Sequence, residues 1–178
     1  FDGCLTFVIG ENGMDLAMKY GLPANQIIKT GNWLGPLLVA AAENGVKKLL
    51  LFGYHGKLIK LSGGVFHTHH HLADGRIEIL TSIAFREGIS FDLIELISKS
   101  TSVENALLTL EVSNPEAVSL IWSRMAKEIE IKSRSYVNRY LSSSMEIGSV
   151  LFDRKRQMRW AGLEGLKQIN SLGLILKR

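Results

Sequence analysis

The chain has 178 residues and a mass of 19.8 kDa, room for one domain that buries a sizeable core without a disulfide or metal staple. Hydrophobic residues make up 46% and charged residues 21%, with three prolines and no low-complexity tract, which excludes a disordered chain. The net charge of +4 is unevenly placed: residues 1–120 carry nine Lys/Arg against twelve Asp/Glu, and residues 121–178 carry twelve against five.

Leu5-Thr-Phe-Val-Ile9 is a short apolar run ended by Gly10 and reads as a buried strand. Gly10-Glu-Asn-Gly13 turns the chain into a helix from Met14 to Tyr20, with Gly21 as its stop. Ile27 and Ile28 form a second short strand, and Asn32 caps a helix from Trp33 to Glu43. Lys48-Leu-Leu-Leu-Phe-Gly53 is the clearest strand. Three strand-then-helix steps predict a parallel sheet with crossover helices. Such sheets place ligand sites beyond the carboxyl ends of their strands, here Gly10–Gly13, Thr30–Asn32 and Gly53–Lys57.

Beyond Gly75 the periodicity turns helical, over Arg76–Arg86, Phe91–Ile97 and Val103–Leu110, with Ser90 and Ser102 as candidate caps. Asn114-Pro115-Glu116 starts a further helix that runs to about Ile131. From Tyr136 onward the order is strand-like, with a strand at Ile147–Phe152, while the basic and aromatic stretch Arg154–Trp160 has no clear placement. The expected class is α/β: a short parallel sheet with crossover helices, then a helical segment and a C-terminal strand region. The chain opens Phe-Asp-Gly-Cys with no initiator Met, so residues 1–178 are expected to be a single α/β domain forming the C-terminal part of a longer protein.

The residues bear on several chemistries. Cys4 is the lone cysteine, which excludes an intrachain disulfide and a Cys-built zinc site and suits a reducing, cytoplasmic setting. No nucleophile elbow and no Ser-His-Asp order anchors a hydrolase. The longest apolar stretch, Trp33–Ala42, is interrupted by Gly35 and Pro36 and is about half the ~20 residues of a membrane span, so no membrane partner is expected. All five histidines lie between His55 and His71. They read as groups beside an anionic ligand rather than a metal site, since neither a nearby Cys nor HExxH spacing accompanies them. Gly53-Tyr-His-Gly56-Lys57 can cradle an anion at a helix start, or be a plain turn. Asp74 before Arg76 is a helix cap or a site carboxylate. Trp33 and Trp122 fall on apolar helix stripes and read as core, leaving Trp160 as the better stacking candidate. The basic end suits nucleic acid, phosphate or a polycarboxylate, or is simply a solvated face.

The run Gly53-Tyr-His-Gly-Lys57-Leu-Ile-Lys60-Leu61-Ser-Gly-Gly64-Val-Phe-His-Thr68-His69, with Ala73-Asp-Gly-Arg76-Ile-Glu78, resembles the signature of the CbiD family. Gly10-Glu-Asn-Gly13, Gly21-Leu-Pro23 and Thr30-Gly-Asn-Trp-Leu-Gly35 match as well. The likeness covers Phe1 to about Leu110 well and the rest loosely; His67, His70 and His71 depart from the pattern. The resemblance implies a cobalt-precorrin-5B C1-methyltransferase of anaerobic cobalamin synthesis. Its methyl donor is S-adenosylmethionine, and cobalt enters only as part of the corrinoid substrate. It implies no protein metal site and no nucleic-acid partner, and it leaves an oligomer open. On that reading Lys57, Lys60, Thr68, His69, Asp74 and Arg76 bind the substrate. Gly10, Gly13, Gly53 and Gly56 border the donor, and the catalytic residues are unassigned. A nucleic-acid-binding module and an inactive cut domain are the alternatives.

Overall fold

The computed structural model describes residues 2–177; Phe1, Arg178 and the side chain of Glu11 lie outside that description. The strands are Cys4–Ile9 (β1), Ile27–Thr30 (β2), Lys48–Tyr54 (β3), Glu146–Phe152 (β4) and Met158–Ala161 (β5). They form one sheet in the order β2-β1-β3-β4-β5, parallel throughout except for β5. The helices are Met14–Lys19 (α1), Leu34–Glu43 (α2), His55–Ser62 (α3), Arg76–Arg86 (α4), Phe91–Ser98 (α5), Val103–Ser113 (α6), Pro115–Asn138 (α7) and Leu163–Ser171 (α8).

Side-chain alternation along the strands divides the core in two. Phe7, Ile9, Leu49, Leu51, Ile147 and Leu151 face one layer, shared with residues of α2 to α7. Val8, Leu50, Phe52, Val150 and Phe152 face the other, with Leu16 and Ala17 of α1 and Ile169 of α8. A central strand buried on both faces has to be apolar at every position, which is why Leu49-Leu-Leu-Phe52 has no polar residue. Ile9 pairs with both Thr30 and Gly53, and Gly53 with Leu151. The four parallel strands therefore end level. From that edge the chain leaves β1 toward β2 on one side, while β3 lies on the other, so a crevice opens between them.

The strands expected at Leu5–Ile9, Ile27–Ile28, Lys48–Gly53 and Ile147–Phe152 are all present, as is the helix Arg76–Arg86 at its expected bounds. Ser102 and Asn114 cap α6 and α7, accepting from Asn105 N at 3.0 Å and Ala117 N at 3.0 Å. Four expectations need correction. Ser90 makes no side-chain cap bond. Asn32 does not cap α2: the first N–H groups of that helix, on Leu34 and Gly35, donate to the Phe66 carbonyl at 3.1 and 3.2 Å. Asn32 instead accepts from Thr68, from its backbone N at 3.0 Å and its hydroxyl at 2.8 Å. Residues 136–138 close α7 instead of opening a strand region: Tyr136 packs on Phe66 with ring centroids 4.4 Å apart and lies over Gly35, where any Cβ would clash with its hydroxyl. Residues 163–171 form a helix, α8, in place of the expected strand region; Leu163, Leu166 and Ile169 recur at helical spacing.

A distant carboxylate starts that last helix. Glu130 of α7 is buried and accepts from Gly165 N at 2.8 Å, Glu164 N at 3.1 Å and Ser149 N at 3.0 Å. It supplies from across the fold what a local Ser or Asp cap supplies elsewhere. Gly148 and Gly165 let the helix backbone touch β4, since a Cβ on Gly165 would fall 2.1 Å from Ser149 O. Burial pushes the Glu130 carboxyl above the ordinary glutamate range, outweighing the N–H donors that pull it down. The folded chain therefore binds that proton more tightly than the unfolded one. The associated stability is complete below the ordinary range and is lost as pH rises through the raised folded value. Glu130→Ala strands three N–H groups and should cost about 3 kcal/mol, read as a lower urea midpoint at unchanged slope. In Glu130→Gln the decline of stability with rising pH should be smaller than in the wild type.

Candidate active site at the carboxyl ends of the strands

Two cavities lie side by side beyond the level ends of the strands. The first, about 370 Å³, sits between Gly10 and Asn12 after β1 and the Asp153–Arg156 turn after β4. The second, about 380 Å³, has Lys60 of α3 in its wall with Asn32, Thr68, His69 and Arg76. Tyr54 and Lys57 belong to both walls, so the two form one cleft. A larger hollow, about 630 Å³, follows the edge strand β5 among Pro115, Val118, Leu166 and Ile175; it shares no residue with the cleft and contains none of the residues expected to bind substrate or donor.

Most of the residues singled out in the sequence meet here. β3 passes through Gly53 and Tyr54 and becomes α3 at His55 with no intervening turn. The expected Gly53–Lys57 turn is thus a strand end and the first helical turn. That junction points Lys57 and Lys60, one turn apart, along one side of α3. Lys60 is only 1% exposed and donates to the Ala73 carbonyl. Burial pulls its pKa down and Asp74 pulls it back up, so an anion reaching the cleft would favour its charged form. Thr68 is buried and tied to Asn32, which pins the loop that carries His69. Partial burial, neighbouring imidazoles and Lys60 hold His69 below the ordinary imidazole range, so at neutral pH it offers a neutral hydrogen bond rather than a charge. Asp74 grips Arg76 in a two-point contact, Nε to Oδ1 at 2.6 Å and Nη2 to Oδ2 at 3.0 Å. Asp74 therefore aims the guanidinium, while Arg76 itself lines the cleft.

The glycines divide. Gly10 lines the first cavity with φ +94°, a conformation suited to glycine, and a Cβ there would sit 3.7 Å from Lys57 Nζ. Gly56 lines the second, and a Cβ there would come 2.6 Å from Tyr54 Cε1. Gly13 and Gly53 are buried beside the cleft. They admit Val8 and Leu58 respectively, packing roles rather than lining ones.

Two parts of the site escaped the sequence. The stretch Arg154–Trp160 is a turn and an edge strand, which brings Arg154 and Arg156 to the cleft. Arg156 sits at φ +62° with its guanidinium on Asp15 at 2.6 Å, and Arg159 lies 4.4 Å over the Trp160 ring. Trp122 is buried as expected, but for Trp33 and Trp160 the reading is reversed. Trp160 is 6% exposed and Trp33 65%, because Trp33 precedes α2 and stands edge-on to His67 instead of lying on a core stripe. The second omission is a buried polar chain. Tyr54 Oη donates to Glu104 Oε2 at 2.9 Å, His55 Nε2 meets the same oxygen at 2.8 Å, and Trp122 Nε1 donates to His55 Nδ1 at 3.0 Å. Glu104 and Trp122 lie far along the chain from Tyr54, and only the close of α3 against α6 and α7 brings them together. Among the described residues no group of three His, Cys, Asp or Glu is arranged to hold a metal ion, and no helix is long and apolar enough to cross a membrane.

The family model described as CbiD, C-terminal domain, matches residues 67–162. The chain belongs to the CbiD family. It is similar to a protein of Prochlorococcus marinus strain NATL1A named cobalt-precorrin-5B C(1)-methyltransferase, 99% identical over 178 residues, all of this chain and 47% of that relative. Proteins of the same printed name from Prochlorococcus marinus strain MIT 9313 and Synechococcus sp. strain CC9902 are 55% and 53% identical, over 98% and 91% of this chain and 45% and 44% of theirs. The chain thus spans about half the length of these curated relatives. No solved structure matches it.

The Asp74–Arg76 contact is directly testable. Its guanidinium partner lowers the Asp74 pKa to about 2. In Arg76→Ala the Asp74 carboxyl, followed by NMR, should titrate back in the ordinary carboxylate range; an unchanged midpoint would show that Arg76 does not hold it.

Proposed function

We propose that this chain is the C-terminal part of a cytoplasmic S-adenosylmethionine-dependent methyltransferase that methylates C1 of cobalt-precorrin-5B in anaerobic cobalamin synthesis. The observation that carries the reading is the cleft, where Lys57, Lys60, Arg76 and Arg154 converge on one concavity at the strand ends. A corrinoid precursor is a flat ring fringed with carboxylates. Lysine and arginine groups grip such a fringe through charge-assisted hydrogen bonds, and Thr68 and His69 add neutral ones. The second cavity takes the fringe, with Asp74 holding Arg76 in its working orientation. The first cavity, bordered by Gly10 and Tyr54, takes the donor; Gly13 and Gly53 act behind it by admitting Val8 and Leu58, and Gly56 lines the adjoining second cavity.

When bound, the donor supplies a methyl whose C–S bond breaks with its electron pair going to sulfur. The ring carbon provides the pair for the new C–C bond, and the positive charge passes to the methylated ring. What the protein contributes is alignment of the two partners and exclusion of water. The cobalt belongs to the substrate. A nucleic-acid role for the basic end is less well supported, since Arg156 and Arg159 are spent on Asp15 and on Glu111 and Asp153.

Lys57→Ala should weaken binding of a carboxylate-fringed corrinoid by roughly tenfold, and more at low salt than at high. The readout is the absorbance change of the corrinoid titrated into the full-length NATL1A relative carrying the substitution. Wild-type affinity and turnover in that variant would remove Lys57 from the site.

A further inference from the structure

We propose that Tyr54 receives the positively charged sulfonium methyl of the donor, and that Glu104, His55 and Trp122 are positioning residues that hold its phenol for that task. The inference rests on the cleft reading above and assigns the point of contact within it.

The proton positions follow from chemistry. An indole N–H only donates, so His55 Nδ1 accepts from Trp122 and its proton is on Nε2. Nε2–H then donates to Glu104 Oε2, and the Tyr54 hydroxyl donates to that same oxygen. Two donors on one carboxylate oxygen favour its charged form, and the His55 contact is the main reason the Glu104 pKa is lowered. Burial and the Glu104 charge push the Tyr54 phenol up, so it keeps its proton. That proton is committed to Glu104, and the phenol oxygen has only lone pairs left to offer.

The ring is fixed as well as the proton. The absence of a Cβ on Gly56 makes room for it, and the His55 ring stands against it at 4.6 Å and 63°. Tyr54 lies in both cavity walls, at the junction where donor and acceptor meet. The surrounding wall carries Lys57, Lys60, Arg76 and Arg154, which suits carboxylates and repels a cation. The carboxylates nearby are already engaged: Asp74 by Arg76, and Asp153 by Gln157 N at 3.0 Å and by Arg159. Tyr54, backed by Glu104, is the electron-rich point of the junction. A sulfonium methyl carries polarised C–H groups that a phenol oxygen accepts as weak hydrogen bonds.

The discriminating measurement is the preference for a charged over a neutral ligand. S-adenosylmethionine and S-adenosylhomocysteine would be titrated by calorimetry into the full-length NATL1A relative and its variants. Tyr54→Phe should weaken S-adenosylmethionine roughly tenfold while leaving S-adenosylhomocysteine within about twofold. Glu104→Gln keeps an acceptor for both donors and removes the charge, so it should shift the ratio in the same direction and carries the test if Tyr54→Phe does not fold. A purely structural network would change both affinities together, and an unchanged ratio in the folded variants overturns the proposal. Wild-type protein that binds neither ligand overturns the cleft reading itself, and this inference with it.

Discussion

The position at which β1, β3 and β4 stop sets where the cleft of this fold lies. Their register makes Ile9, Gly53 and Leu151 level neighbours, so the next residues of three separate segments emerge at one edge. Gly10, Tyr54 and Phe152 owe their proximity to that alignment and to nothing local. Because β2 and β3 lie on opposite sides of β1, the connections diverge and leave the edge uncovered. A slip of one residue in β3 would turn Leu49 and Leu51 to the wrong layer and carry Tyr54 out of the junction, so burial of the core and placement of the site are enforced by the same pairing.

The electrostatics of the cleft follow from that convergence. Lys57 and Lys60 come from one helix, Arg76 from the start of another, and Arg154 from the turn after β4. No stretch of sequence is strongly basic at all these points. The charges accumulate only in three dimensions, and three of the basic side chains at the cleft are steered by a neighbour: Arg76 by Asp74, Arg156 by Asp15, and Lys60 by the Ala73 carbonyl. Orientation by partners that do not themselves fill the site is how a pocket stays pre-arranged for a ligand with several charges.

Much of this is legible in the residues alone. Strands built from apolar runs, such as Leu49–Phe52, declare themselves because both of their faces are buried. The helix Arg76–Arg86 does so because its apolar residues recur on one face. Lys57, Lys60, Thr68, His69 and Arg76 stand out in the sequence and share a wall in the fold. What stays hidden depends on distant partners. The last turn of α7 is held by Phe66 and Gly35, and the start of α2 is satisfied by the Phe66 carbonyl rather than by Asn32. The Tyr54–Glu104–His55–Trp122 chain joins three helices and a strand, and none of its members is unusual in its local sequence.

The same dependence on distance gives Glu130 a reach beyond stability. It sits in α7, yet the N–H groups it satisfies belong to β4 and α8, whose contact also demands glycine at 148 and 165. The final segment therefore carries only half of its own folding instructions. Exchanging it between relatives as a module would succeed only when a compatible α7 travels with it, since the carboxylate at 130 and the two glycines serve a single seam.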